Sequence, residues 1–421
     1  MQSDWPTATL GELTINLDTK RRPVKEADRR SGPYPYYGAS GIVDHVDGFL
    51  FEGEHLLIAE DGENLRTRNT PVAFRATGRF WVNNHAHIVK GNGLARTRFL
   101  EYAVLAADLT PYLTGAVMPK LTQGNLNKIE LPCPPLKAQD AVIGVLGSLD
   151  DRIALLRQTN ATLESIAQAL FKSWFIDFDP VRAKAEGREP EGMDSATAAL
   201  FPSEFEESPL GLTPKGWEVA PIGDLVEAVG GSTPDTKNPT FWEPAVHHWT
   251  SPKDLSGATS PVLLDTERKV SPAGLAKISS GLLPAGSLLM SSRAPIGYLA
   301  LTQVPVAINQ GYIAMLPGGQ LPPLYLYFWC KANMEGIKGR ANGSTFMEIS
   351  KKAFRPIPAL LPPPDIVSEF VAVAGALFDR LVANERTALS LTDVRDTLLP
   401  RLISGKLRLP EAQARLEEAI A

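Results

Sequence analysis

Residues 142–174 read VIGVLGSLDDRIALLRQTNATLESIAQALFKSW, with apolar side chains recurring at steps of four and three: Val142, Leu146, Leu149, Ile153, Leu156, then Asn160, then Leu163, Ala167, Leu170 and Trp174. A 3.5-residue period keeps one helix face turned to a partner, so the stretch predicts a long helix with a coiled-coil seam. A second run has the same spacing: Phe370, Ala374, Leu377, Leu381, Asn384, Ala388, Leu391, Arg395, Leu398 and Leu402. Only Asn160, Asn384 and Arg395 interrupt the stripes. Prolines at 134–135 and 362–364 stop the chain ahead of each helix. Each seam covers 33 residues, about 50 Å at 1.5 Å per residue. Two amphipathic helices packed on separate domains would carry the same stripes, but matched length and matched seam favour packing on each other. An antiparallel pairing about a pseudo-twofold puts Asn160 opposite Asn384, where the amides can bond and fix the register.

The helices belong to an internal repeat. A shift of 212 lays Trp5 on Trp217, Leu10 on Ile222, Gly11 on Gly223 and Leu13 on Leu225. A shift of 228 lays Thr122 on Ser350, Leu126 on Phe354, Ile129 on Ile357 and Pro134-Pro135 on Pro362-Pro363. The second half therefore has 16 extra residues in its middle. Ends alike and middles unlike is the pattern of ends that assemble and middles that discriminate. The middles alternate short apolar runs (His55 to Ala59, Phe80 to Val82, Ser287 to Met290, Val304 to Ile308) with Gly/Pro turns, as strands do, and each closes in a helical patch, Phe99 to Leu105 or Leu324 to Trp329. Residues 181–216 are acidic and rich in Pro and Gly, predicting a linker ordered only in part.

The 421 residues are 44% hydrophobic and 21% charged, which excludes disorder and collagen-like architecture. No apolar run reaches the roughly 18 residues a membrane span needs. Cys133 and Cys330 cannot form a disulfide framework, and cytoplasmic residence is the expectation. A net charge of −5 argues against a nucleic-acid partner until it is divided along the chain. Residues 1–130, 131–210, 211–358 and 359–421 carry 0, −6, +3 and −2, so an anion should meet the first or third segment, although any one basic cluster could be a solvated face.

Catalytic motifs are wanting. Asn238-Pro239-Thr240-Phe241 and Asp177-Phe178-Asp179-Pro180 miss the paired prolines of an amino-methylase tetrapeptide, and no Gly-rich cofactor loop accompanies them. Gly281 to Gly286 is followed by Ser287 where a phosphate loop needs Lys. Glu60-Asp61 and Asp150-Asp151 read as structural carboxylates. His85 and His87 lack a third metal ligand and read as a hydrogen-bonding surface.

Two variable segments, each opening with Trp and closing in a Pro-Pro turn into a heptad helix, resemble the specificity subunit of type I restriction-modification systems. The stretch Leu170 to Gly187, LFKSWFIDFDPVRAKAEG, is similar to that family's central conserved region, and Leu398 to Leu407 to its distal one. The helix starts depart from the pattern: Lys137-Ala138-Gln139 lacks the Glu usual before that Gln, and Asp365 to Ser368 lacks the motif. The resemblance implies an α+β chain: two mixed α/β target-recognition domains separated by a long antiparallel two-helix coiled coil with an internal pseudo-twofold. The boundaries are 1–135 for the first recognition domain, 136–180 for the central helix, 181–210 for the acidic linker, 211–360 for the second recognition domain and 361–421 for the distal helix and tail.

The implied function is sequence-specific recognition of double-stranded DNA, each half reading one part of a bipartite asymmetric site. The chain itself would be non-catalytic and without cofactor or metal. Two methyltransferase (modification) subunits would dock on its helices with S-adenosylmethionine, and two restriction subunits would supply ATP- and Mg-dependent translocation and cleavage. Candidate DNA contacts are Lys20, Arg21, Arg22, Ser40, Arg66, Arg68, Asn83, Asn84 and His85 in the first domain. In the second they are Lys237, Asn238, Lys253, Arg293, Asn309, Gln310, Arg340, Asn342 and Ser344. Basic groups suit phosphates, and amides and hydroxyls suit base edges. Two other readings are a coiled-coil scaffold presenting two protein-binding domains and a single-chain methyltransferase.

If the helices set the gap between half-sites, one heptad inserted after Arg157 lengthens that helix by about 10.5 Å in phase, roughly three base-pair steps. Methylome mapping should then show a gap longer by about one to three pairs between unchanged half-sites, because the unaltered partner helix absorbs part of the change. Two inserted residues, rotating the seam by about 200°, should abolish function. An active heptad variant that keeps the original gap would contradict the ruler.

Overall fold

Two 40-residue helices, Leu136–Phe175 and Pro364–Ile403, hold the predicted seams. A computed structural model describes residues 5–293, 295–343, 347–407 and 411. The chain divides into two units, Met1–Ala154 with Ala388–Ala421, and Leu155–Thr387, so each unit takes half of each long helix. In the first unit Val142, Leu146, Leu149 and Ile153 are buried, as are Leu391, Leu398 and Leu402. The seam-breaking Arg395 donates to Asp150 at 3.0 Å in that unit. In the second unit the helix halves run antiparallel. Asn384 Nδ2 donates to Asn160 Oδ1 at 2.9 Å, and further along Phe171 lies edge-on to Phe370, with ring centres 5.6 Å apart. The predicted amide pair is therefore present. Asn160 donates in turn to Glu385 at 3.3 Å, so the buried amides satisfy each other within an otherwise apolar seam.

Each of the two variable domains is closed at its base by the same clamp. Thr7–Thr9 pairs antiparallel with Glu130–Pro132, and Glu218–Pro221 with Pro358–Leu361. The next residues start short helices, Leu10–Leu13 and Ile222–Leu225. The amides of Leu10 and Gly11 donate to Ile129 and Asn127 at 2.8 and 3.0 Å, and those of Ile222 and Gly223 to Ile357 and Arg355 at 2.8 and 2.9 Å. This approach explains the repeated glycine: a Cβ would lie 3.1 Å from Asn127 O at Gly11, and 2.6 Å from Arg355 Cβ at Gly223. Thr122 and Ser350 cap the returning turns by accepting from Asn125 and Ala353.

Between the clamp arms the two middles, unlike in sequence, share one topology. The first has a sheet in the order Thr14–Asn16, Ala86–Gly91, His55–Ala59, Ala73–Ala76. The second repeats it as Ala228–Val229, Tyr312–Met315, Leu288–Ser291, Leu299–Thr302, with Val262–Leu263 added at the edge. A smaller sheet follows suit. Ser31–Gly38 runs parallel to Arg79–Val82 and antiparallel to Gly41–Val46, as His247–Thr250 runs parallel to Val306–Ile308 and antiparallel to Arg268–Val270. The extra chain of the second half sits mainly at 251–287, between strands that only 39–54 separate in the first. Helices Thr97–Ala106 and Pro323–Ala332 cover corresponding positions. Their tyrosines reach the long helix of their own unit: Tyr102 donates to Asp150 and Tyr327 to Glu164, both at 2.5 Å.

The doubtful helix start at Gln139 is well bonded. Its fully buried amide donates to Leu94 and Pro134 carbonyls and accepts from the Arg96 amide. The segment 181–210 is not the partly ordered linker expected. It contains helices Asp179–Ala185 and Ser195–Leu200, and Phe205–Ser208 forms a hairpin with Gly211–Pro214. Average composition concealed Val181 and Phe201, which join Trp174, Phe175 and Trp217 in the second unit's core. Asp194 caps the second of these helices, and Lys184 donates to the carbonyls of Ala198 and Phe201.

Asn384→Ala should lower stability by about 1–3 kcal/mol in denaturant titration, because it leaves the Asn160 carbonyl buried without its donor. The double change Asn160→Leu/Asn384→Leu should recover most of that loss, since neither polar group remains. A single variant as stable as the wild type would show that the amide bond adds nothing.

Candidate nucleic-acid interface

In both domains the strands Arg79–Val82 and Val306–Ile308 end in the same asparagine turn. The Asn83 amide donates to Tyr37 O at 3.0 Å while its side-chain oxygen accepts from the His85 amide at 2.8 Å. The Asn309 amide donates to Thr250 O at 3.1 Å while its side chain accepts from the Gly311 amide at 2.8 Å. Asn83 and Asn309 thus build the turns. The exposed residues presented at the tips are Asn84 and Gln310. Gln310 accepts from Thr233 at 2.8 Å, and His85 meets Asp61 at 2.9 Å. Gly311 is required because a Cβ would stand 2.9 Å from Pro252 Cγ.

A second loop flanks each tip. Backbone bridges join Thr114 to Lys120 and Asn342 to Glu348, 228 residues apart, and further bridges tie Lys120 to Asp61 and Glu348 to Arg293. The bonds Leu121 to Glu60 and Glu60 to His85 complete the first patch, as Ile349 to Ser292 and Ser292 to Gly311 complete the second. The turns stand out in the sequence, whereas Lys120 and the 114–120 loop do not. The offset of 228 was the signal that could have found the loop.

The basic candidates separate. Lys20 and Arg22 are exposed beside the first patch. Arg21 instead turns inward, donating to Glu60 at 2.8 Å and Ala86 O at 2.7 Å. Arg68, at φ +50°, also turns away and donates to the carbonyls of Leu105 and Ala107 at the end of helix Thr97–Ala106. Arg66 holds Gly115 O at 2.8 Å. Ser40 is exposed at the tip of its hairpin. In the second domain Lys237 and Arg340 are exposed, and Asn238 caps the Thr240 amide. Lys253 pairs with Glu267 and Arg293 with Glu348, both on the surface. Asn342 lies in the Glu348 bridge, and Ser344 lies outside the described residues.

A buried polar network supports the first patch. His87, 1% exposed, has Nδ1 2.5 Å from Asp18 Oδ2 and Nε2 2.7 Å from Leu121 O. Burial pushes the Asp18 carboxyl up, but the bond and charge of His87, the Ile88 amide and Arg21 outweigh it and hold the carboxyl below its ordinary value. Among the described residues no group of three His, Cys, Asp or Glu could hold a metal ion, and no helix is long and apolar enough to cross a membrane.

One frame built twice, with different residues at equivalent tips, defines a tandem recognition protein. The model of the type I restriction modification DNA specificity domain matches residues 2–165 and 214–373, and the chain belongs to that family. It is 28% identical to the type I restriction enzyme HindI specificity subunit of Haemophilus influenzae, over 96% of this chain and all of that one. It is 33% identical to the MjaIX specificity subunit of Methanocaldococcus jannaschii, over 44% of this chain and 43% of that one. A solved type I restriction-modification S subunit from M. genitalium has the same fold, with a TM-score of 0.54 at 16% identity, covering 95% of this chain and 96% of that one.

Because Asp18 titrates lower in the folded chain than the unfolded value near about 3.9, its stabilisation is present above that pH and lost as pH falls through the folded value. Asp18→Asn should therefore reduce neutral-pH stability and flatten the acid side of the stability curve relative to the wild type. Parallel curves from denaturation between about pH 5 and 2.5 would show that Asp18 is not held by the network.

Proposed function

We propose that this chain is the non-catalytic DNA-recognition subunit of a type I restriction-modification complex, each domain reading one part of a bipartite asymmetric site. The observation carrying this is the duplicated asparagine turn: one backbone frame presents Asn84 in one domain and Gln310 in the other. Amides of this kind suit base edges in the major groove, whereas Lys20, Arg22, Lys237 and Arg340 suit phosphates. The long helices dock two modification subunits, which bring S-adenosylmethionine, and two restriction subunits add ATP- and Mg-dependent cleavage. Family membership and the absence of catalytic motifs in the sequence support this division of labour, and cytoplasmic residence follows from it. A protein-binding scaffold and a single-chain methyltransferase are the readings it displaces.

Replacing residues 211–358 with the corresponding segment of a relative, in cells expressing the modification subunit, should change one half of the methylated sequence and leave the other intact. Changes in both halves would contradict independent reading. Methyl transfer by the isolated chain would contradict the non-catalytic assignment.

A further inference from the structure

Residues 114–120 of the first domain, TGAVMPK, form a narrow turn whose tip is apolar and solvent-facing: Val117 is 92% exposed and Met118 60%. A lone exposed valine needs no explanation, but this turn is fixed from several directions. Thr114 and Lys120 exchange backbone bonds of 2.8 and 2.7 Å, and the Gly62 amide donates to Pro119 O at 3.2 Å. Arg66 holds Gly115 O from outside. Gly115 has φ +87°, and a Cβ there would stand 2.1 Å from Met118 O. The structure therefore ties the turn at its ends and leaves two apolar side chains at its tip in water.

Their surroundings are ionic. Lys120 pairs with Glu60, Arg66 with Glu63, and His85 with Asp61. The carboxylates beside the turn are thus neutralised by basic neighbours, and Lys20 and Arg22 lie exposed on the segment whose Arg21 bonds Glu60. The bridge from Lys120 to Asp61 and the bonds from Leu121 through Glu60 to His85 connect the turn to the Asn84 tip. An apolar point set among ion pairs, with Lys20 and Arg22 exposed on a neighbouring segment and a base-reading turn adjoining it, suits a duplex, whose base steps accept apolar wedges while nearby phosphates meet the two cations. At the 228 offset the second half reads GSTFM, with Phe346 in sequence at the place of Met118.

Resting on the DNA-recognition reading above, we propose that Val117 and Met118 are a wedge that inserts into a base step of the bound duplex, unstacking it beside the bases read by the first domain. Prior fixing of the turn removes the ordering cost of insertion. The partly opened step makes recognition sensitive to the deformability of a step that no side chain reads by hydrogen bonding.

The test uses the full chain with its modification subunit on a duplex carrying the methylome-mapped site. 2-Aminopurine is placed singly at successive positions of the first domain's half-site, leaving the methylated adenine natural. One position should brighten several-fold with the wild-type complex. Val117→Ser/Met118→Ser, a change at exposed positions, should lose that brightening and bind about tenfold more weakly, and a mismatch at the same step should restore its affinity. Undiminished brightening in the variant, or no brightening although the wild type binds, would overturn the wedge. A variant that loses the modification subunit while opening the DNA normally would also overturn it, making the tip a protein contact. Failure of the wild-type complex to bind any mapped site would instead overturn the DNA-recognition reading itself.

Discussion

The backbone clamp at the foot of each recognition domain is the constraint on which the remaining structure depends. Two amides, from Leu10 and Gly11 or from Ile222 and Gly223, bond carbonyls more than a hundred residues later in the chain. The clamp closes a long, variable loop before that loop's content matters, because backbone bonds ask nothing of side chains except that the approaching residue have no Cβ. Each closing strand then leads through prolines into a long helix, so closure and helix start are set together.

The same logic explains how the middles diverge without losing their frame. Sheet order is kept while 251–287 replaces the shorter 39–54. The asparagine turn is kept while its tip changes from Asn84 to Gln310. A loop closure is kept while the residues whose backbones bridge it change, Asp61 with Lys120 in one domain and Arg293 with Glu348 in the other. Positions that make backbone geometry are shared, and positions that face outward are not.

Much of this was legible in the sequence where a period or an offset carried it. The heptad stripes gave both helices, and the midpoint of the repeat placed Asn160 on Asn384 before any geometry was known. The equivalence of Gly11 with Gly223 and of Thr122 with Ser350 followed from the two offsets, while the capping role of Thr122 and Ser350 is visible only in the structure. Inward-turning side chains were not legible. Lys20, Arg21 and Arg22 look alike in the chain, and only Arg21 meets Glu60 and Ala86, 39 and 65 residues away. The acidic segment misled because its average charge hid Val181 and Phe201. The turn-building part of Asn83 and Asn309 was not legible either: in each the side-chain oxygen accepts from the backbone of its own turn.

Equivalent turns of one repeated frame should face different parts of the target. A photo-crosslinking amino acid placed at 84 or at 310, in the assembled complex on its methylome-mapped duplex, tests it directly. A DNA crosslink is expected from each position, the two falling in different half-sites. Crosslinks from both positions to the same half-site, or to protein in place of DNA, would contradict it.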